Sequence, residues 1–142
     1  MGGVTAARPT GTHHAGLAVS DMDAAVAWFA RHLGFAVEAE WAAGDLRMAM
    51  VGNGAARVEL FAQPGATPGA DEGFPVMEHF ARRGWKHAAF AVPDLRAAVE
   101  ALRADGVAVT VEPATSAAGY GYAFVEGPDG AAVELVGLIG GG

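Results

Sequence analysis

The amino-acid sequence predicts an α+β fold in which two paired βαβββ modules form a cupped mixed sheet around a metal or ligand site. Residues 14–26 (HAGLAVSDMDAAV) return as residues 87–99 (HAAFAVPDLRAAV), so the chain contains an internal repeat. Each copy is followed by a Val-Glu-Leu segment, at residues 58–60 and 133–135. Each copy also passes from a short apolar run, through an aspartate, into a helical pattern. These three observations predict the same unit twice.

The first module is expected at residues 13–62. Its helix is predicted at 22–33, because Asp21 can cap its first turn and Met22, Phe29 and other apolar residues recur at helical spacing. Gly34 ends this helix. The apolar runs and the turns at 44–45 and 52–54 predict four strands, at 14–19, 35–41, 46–51 and 56–62.

The second module is expected at residues 85–138, after a connection at 63–84. The connection begins with five Pro and Gly residues and holds a short helix predicted at 74–83. Asp94 caps the predicted helix of the second module. The elements of that module are a strand at 86–92, a helix at 95–104 and strands at 107–112, 120–126 and 131–137. Residues 1–12 and 139–142 are expected to be a flexible leader and tail.

Composition narrows the possible partners. Sixteen acidic against nine basic residues give a net charge of -7, which argues against nucleic acid as a partner. No apolar run approaches the roughly 20 residues of a membrane span, and the first residues lack the pattern of a signal peptide, so a cytoplasmic location is expected. The chain has no cysteine, so a metal would have to be held by histidines and carboxylates.

Strand alternation places the repeated ionisable residues on one face of each predicted sheet. With a period of two, one face is shared by His14, Gly16 and Ala18, by Arg57, Glu59 and Phe61, by His87 and Ala89, and by Ala132, Glu134 and Val136. The bulky apolar residues between them would pack under the helices. Two imidazoles and two carboxylates that converge are costly to bury unless a divalent cation uses them. We therefore expect a metal site of His14, Glu59, His87 and Glu134.

Two alternatives to this site remain. Any one of the four residues could instead be a core histidine or a strand glutamate exposed to water. His13 adjoins His14, and only the register of the repeat favours His14 as the ligand; His13 is expected to be solvated. His32 and His79 lie in helical patterns and are expected at the surface.

The repeated segments and the four candidate ligands resemble those of the vicinal oxygen chelate superfamily. This superfamily includes glyoxalase I, methylmalonyl-CoA epimerase, extradiol dioxygenases and bleomycin-resistance proteins. The resemblance covers about residues 12–138. It is carried by His14-Ala-Gly-Leu-Ala-Val with Asp21, Val58-Glu59-Leu60, His87-Ala-Ala-Phe-Ala-Val, and Gly127-Pro128-Asp129-Gly130 before Val133-Glu134-Leu135. Bacterial glyoxalase I has the ligand order His, Glu, His, Glu. That resemblance implies His14, Glu59, His87 and Glu134 as the ligands. Two imidazoles and two carboxylates suit Zn, Ni or Co in preference to Fe or Mn.

The resemblance implies a metal-dependent isomerase, lyase or epimerase that acts on a small α-oxygenated carbonyl substrate through an enediolate. Glu134 or Glu59 would be the catalytic base. The expected substrate-binding residues are Met48, Met50, Arg57, Phe61, Tyr120, Tyr122 and Phe124, although most of these could equally be sheet core or solvated residues. A homodimer is expected, with the modules paired either within one chain or across the dimer.

Two other functions remain open. A drug- or metabolite-sequestering protein of the bleomycin-resistance type would bind a ligand in the same cavity without turnover. An Fe(II)-dependent dioxygenase is disfavoured, because Glu59 would fill a coordination position that oxygen chemistry needs open.

Overall fold

The computed structural model describes residues 7–139, so residues 1–6 of the expected leader and 140–142 of the expected tail lie outside it. The first module contains one helix and four strands. They are β1 (Ala15–Ala18), α1 (Met22–Leu33), β2 (Ala36–Ala43), β3 (Leu46–Gly52) and β4 (Arg57–Ala62). Strand β1 is parallel to β4, and β3 runs antiparallel to both β4 and β2, in the order β1-β4-β3-β2.

The second module repeats this arrangement after the connecting helix α2 (Val76–His79). Its elements are β5 (Ala88–Ala91), α3 (Leu95–Ala104), β6 (Val109–Thr115), β7 (Gly121–Glu126), a short 3-10 helix (Pro128–Gly130) and β8 (Ala132–Gly137). The sheet order β5-β8-β7-β6 matches that of the first module. The predicted α+β class and the repeated modules are confirmed.

Equivalent residues start both helices. The Asp21 carboxylate accepts a hydrogen bond from the Ala24 amide, and the Asp94 carboxylate accepts one from the Ala97 amide. Each bond satisfies a backbone donor that has no partner in the first helical turn. Helix α1 ends at Gly34, whose φ of 67° is in the left-handed region that glycine adopts without strain.

Each helix covers one face of its own sheet. The two cores consist of buried apolar residues from the helix and from alternate strand positions, among them Phe29, Val58 and Leu60 in the first module and Val99, Val133 and Leu135 in the second. Trp28 of α1 and Phe90 of β5 pack against both cores. Within residues 7–139, α1 and α3 leave the opposite face of their sheets uncovered.

The modules also contact each other through a pair of hydrogen bonds and a pair of aromatic rings. Asp129 accepts hydrogen bonds from the Ser20 amide at 2.8 Å and from the Ser20 hydroxyl at 2.6 Å. The Phe35 and Phe90 rings meet edge to face at 5.5 Å between centroids. These contacts tie the start of α1 to the 3-10 turn of the second module, and the first core to β5.

Some predicted boundaries were wrong. The helix predicted at 74–83 is regular only at 76–79, because the next amides bond to carbonyls three residues back, as Arg82 does to His79, and the chain tightens into turns. Strand β6 lies two to three residues later than predicted, and two register shifts interrupt its pairing with β7. His14 and His87 each precede their strand by one residue rather than lying inside it. No helix of the described part of the chain has the length and apolar character needed to cross a membrane.

Candidate metal centre

The first module brings His14 and Glu59 together on its uncovered sheet face. Ala15 is in register with Val58 of the parallel strand β4, and Gly16 with Glu59. The Nε2 atom of His14 lies 3.5 Å from Oε2 of Glu59, and their side chains are 35% and 16% exposed. We call this pair half-site 1. Gly16 beside Glu59 adds no side chain to this face.

His13 supports half-site 1 from outside. Its Nδ1 lies 2.8 Å from Nδ1 of His14, so one imidazole donates a hydrogen bond and the other accepts it. This contact leaves Nε2 of His14 facing Glu59. A hydrogen bond to the second ring nitrogen commonly orients a histidine that binds a metal. His13 is exposed, as expected, but it also fixes the His14 ring.

The second module forms an equivalent but tighter pair, half-site 2. The Nε2 atom of His87 lies 2.7 Å from Oε2 of Glu134, with the two side chains 21% and 11% exposed. The Phe124 ring, in register with Glu134, stands edge-on to the His87 ring at 4.9 Å between centroids. The aromatic ring shields this pair from water and leaves one side of it open.

The two half-sites do not meet within one chain. Across residues 7–139, no three histidine, aspartate or glutamate side chains are close enough to hold one metal ion. The structure therefore brings the four predicted ligands together as two separate His-Glu pairs. The metal-binding role of His14, Glu59, His87 and Glu134 remains a prediction.

The donor atoms of both half-sites fit neighbouring ligands of one cation. With metal-ligand bonds of about 2.0–2.2 Å and a tetrahedral angle, two donors of one Zn²⁺ are separated by about 3.4 Å. The 3.5 Å of half-site 1 already has this spacing. The 2.7 Å of half-site 2 is a hydrogen-bond distance that would open slightly when both atoms bind a metal.

Apolar side chains line the open face around half-site 1. Met50 is in register with Glu59, and Met48 with Phe61, so all four side chains share one face of the sheet. Trp41 of the edge strand β2 is in register with Met48 and extends the same row. The structure thus places Met48, Met50 and Phe61 beside the pair, as expected. Trp41 was missed, although its place in the alternation of β2 could have indicated it.

The open face of the second sheet carries aromatic residues. Phe124 and Tyr122 are in register with Glu134 and Val136, and their rings contact each other at 6.3 Å between centroids. Tyr120 lies one residue before β7, and the amide of Ser116 donates a hydrogen bond to its carbonyl. The predicted strand start at residue 120 is thus one residue early, and the substrate-binding role of Tyr120, Tyr122 and Phe124 remains a prediction.

Arg57 lies on the open face, and Arg47 does not. Arg57 neighbours half-site 1, and its Nε donates a hydrogen bond to Glu38 at 2.9 Å. Arg47 contacts Asp23 of α1 at 3.4 Å, which places it on the helix-covered side. Arg57 and Arg47 are thus on opposite faces of one sheet.

The two other histidines contradict the sequence expectation, since neither is a surface residue. His79 is buried, with Nε2 2.8 Å from the Phe74 carbonyl oxygen. The His32 ring is largely buried between the modules, with Nδ1 2.8 Å from Asp105 but poorly aligned for a hydrogen bond.

Hydrogen bonds from Arg31 lower the pKa of the Asp105 carboxyl below its usual range. This cluster lines a cleft of about 550 Å³ between α1 and α3, away from both half-sites.

Two repeated modules, each with a His-Glu pair on an uncovered sheet face, define the class of this protein. The chain belongs to the Glyoxalase/Bleomycin resistance protein/Dioxygenase superfamily, whose model matches residues 11–135. No curated protein sequence matches the chain.

Solved structures share the fold over nearly the whole chain. A glyoxalase family protein from Enterococcus faecalis is 20% identical with a TM-score of 0.74, over 89% of this chain and 97% of that one. The trypanothione-dependent glyoxalase I of Leishmania major is 24% identical with a TM-score of 0.67, over 87% and 84%. A lactoylglutathione lyase from Agrobacterium tumefaciens is 20% identical with a TM-score of 0.65, over 91% and 94%. At these identities the similarity shows the fold.

Proposed function

We propose that the protein is a metal-dependent lyase, isomerase or epimerase of the glyoxalase type, acting on a small α-oxygenated carbonyl substrate. The observation that carries this proposal is the pair of half-sites. Each presents one imidazole nitrogen and one carboxylate oxygen at a spacing that suits a shared cation. Membership of the Glyoxalase/Bleomycin resistance protein/Dioxygenase superfamily is consistent with this reaction type.

The centre would be shared between two copies of the chain in a homodimer. His14 and Glu59 of one copy would face His87 and Glu134 of the other, because one chain alone keeps the pairs apart. Exposed apolar residues in the connection and directly after it, Met77 at 70% and Trp85 at 102% exposure, are available for such an interface. Exposed aromatic and methionine side chains are typical of protein interfaces. Trp85 is two residues from His87.

The donor set suits Zn, Ni or Co, and the bound ion would act as a Lewis acid towards adjacent substrate oxygens. Glu134 or Glu59 would take a proton from the carbon next to the substrate carbonyl and return it to the neighbouring carbon. The enclosure of Glu134 by Phe124 limits its contact with water. A carboxylate held there can exchange a proton with substrate rather than with solvent. Met48, Met50 and Phe61 would hold the apolar part of the substrate.

A complementation experiment tests both the centre and its shared character. One variant carries His14→Ala and Glu59→Ala, and the other carries His87→Ala and Glu134→Ala. Each alone should bind no Ni²⁺ and have no activity towards hemithioacetals. A refolded equal mixture should recover about one quarter of the wild-type Ni²⁺ sites, because half of the dimers are mixed and each mixed dimer regains one of two sites.

The control is a mixture in which both partners carry the His87→Ala and Glu134→Ala pair, which should recover nothing. Wild-type protein that binds no Ni²⁺, Zn²⁺ or Co²⁺ would contradict the metal centre. Wild-type binding without any recovery in the mixture would contradict the sharing of the centre between two copies.

A further inference from the structure

We propose that Arg57 is a specificity-determining residue that binds a carboxylate of the substrate, and that Glu38 positions it. This inference rests on the proposed function, and it narrows the substrate to α-oxygenated carbonyl compounds that carry a carboxylate next to the chelating oxygens. Three features of the first sheet carry it: the position of Arg57, the hydrogen bonding of its guanidinium, and the local structure that holds Glu38.

Arg57 is next to half-site 1. It opens β4 two residues before Glu59, so both side chains project from the same face. The parallel register of Ala15 with Val58 continues back to place His14 opposite Arg57. The backbone of Arg57 is therefore next to both predicted ligands of this half-site, and its side chain extends across Gly52 towards Glu38 of β2. A substrate that reaches the metal through two oxygens would bring a third, anionic group within reach of the Arg57 side chain.

The Arg57 guanidinium is oriented by one hydrogen bond, and its other donors remain available to a ligand. Its Nε donates to Glu38 Oε2 at 2.9 Å, and neither terminal nitrogen donates to another group among residues 7–139. Arg31 differs, because it uses both Nε and Nη2 on Asp105. Arg57 thus keeps the two terminal NH₂ groups that form the planar fork suited to a carboxylate.

The backbone is shaped to bring Glu38 to Arg57. Val37 is paired with Val51 and Ala39 with Met50, so Glu38 is the extra residue of a β-bulge in β2. A bulge redirects a side chain that regular pairing would send elsewhere. Gly52, in register with Arg57, lies beneath the ion pair, and a Cβ there would be 2.5 Å from Glu38 Oε1 and 3.2 Å from Arg57 Cγ. The bulge and the glycine together allow the carboxylate to reach Nε.

The test uses two probes of the same size that differ in charge. Hydroxypyruvate has the carboxylate, and dihydroxyacetone has a hydroxymethyl group in its place. Calorimetric titration of the wild-type protein, with and without added Ni²⁺, should show hydroxypyruvate binding about tenfold tighter or more, which is typical of a charge-assisted hydrogen bond. Arg57→Met should lose this preference, and Arg47→Met, the control on the other face of the sheet, should keep it.

The role of Glu38 has its own readout. Glu38→Ala should weaken the preference, because Arg57 then turns freely, and Glu38→Gln should restore most of it, because an amide oxygen can still accept from Nε. Failure of Gln to restore more than Ala would contradict the positioning role.

Two further results would overturn the assignment of Arg57: equal affinity of the wild-type protein for both probes, or a preference that survives in Arg57→Met. Arg57→Met should bind as much Ni²⁺ as the wild-type protein. Metal content therefore reports on the proposed function, and the ratio of the two affinities reports on Arg57.

Discussion

The two half-sites are built on one repeated scaffold but differ in their spacing and in several residues around the His-Glu pair. Half-site 1 is open at 3.5 Å, and half-site 2 is closed at 2.7 Å. Beside the glutamate, the first sheet carries Met50 where the second carries Phe124.

The residue before the histidine differs as well. His13 bonds to His14 in the first module, whereas Lys86 in the second forms an ion pair with Asp71 of the connection at 3.1 Å. The repeat thus preserves the atoms that can bind a metal and varies those that can contact a substrate. We interpret half-site 1, with its flexible thioethers and Arg57, as the side that selects the substrate, and half-site 2 as the more enclosed side.

Neutralising the two glutamates separately is the most direct test of the interpretation that the two half-sites have different roles. Because Glu134 is the more enclosed, Glu134→Gln should reduce kcat of the Ni²⁺-loaded protein by about a hundredfold or more, the usual contribution of a general base. Glu59→Gln should raise KM more than it lowers kcat. Steady-state kinetics with a hemithioacetal substrate, together with the Ni²⁺ content of each variant, measure both effects.

Glu126→Gln is the control, since Glu126 is an exposed glutamate at the end of β7. It should leave both constants unchanged. Full activity in both Glu134→Gln and Glu59→Gln would disprove the carboxylate-base mechanism, and a larger kcat effect at Glu59 would reverse the assignment of the two sides.

The helix-covered faces of the two sheets should make similar contributions to the free energy of unfolding, whereas the open faces should differ in their effects on catalysis. Leu60 and Leu135 follow the two glutamates and are almost completely buried in their cores. Leu60→Ala and Leu135→Ala should each lower the free energy of unfolding by about 3 kcal/mol, through lost burial and the cavity left behind. Urea unfolding measures both, and exposed Leu138→Ala should change it by less than about 0.5 kcal/mol. Strongly unequal losses at the two positions would show that the cores have diverged as the open faces have.

The smallest expected effect is the pH-dependent stabilisation of the fold by the Arg31–Asp105 ion pair, which joins the two modules. Arg31 lowers the pKa of Asp105 in the folded protein, so this group stabilises the fold above its ordinary pKa of about 3.9, and the effect is lost as pH falls through the lower, folded value. Asp105→Asn should therefore melt slightly below the wild type at pH 6, and the difference should shrink towards pH 3. Asp45→Asn, in an exposed turn, is the control. A difference in Tm that does not change with pH would contradict this origin.

Much of this arrangement could be predicted from the sequence, because local rules govern it. The aspartate caps, the period-two alternation and the repeat place His14, Glu59, His87 and Glu134 on uncovered faces, and the structure has each on such a face or directly beside it. The pairing of Met48 and Met50 with the neighbouring strand follows from the same alternation.

The remaining features depend on contacts between distant parts of the chain. The separation of the half-sites is set by how the modules dock, and that depends on side-chain packing around Trp28 and Phe90. The burial of His32 follows from the same docking, since its partner Asp105 is more than seventy residues away. The bulge at Glu38 is a change of strand register, which alternation alone does not reveal.

Trp28 also bears on whether the first module could exist alone. Its ring packs against both cores, so a first module on its own would leave this large apolar surface in water. The two modules are therefore expected to fold and persist as one unit rather than as separable halves.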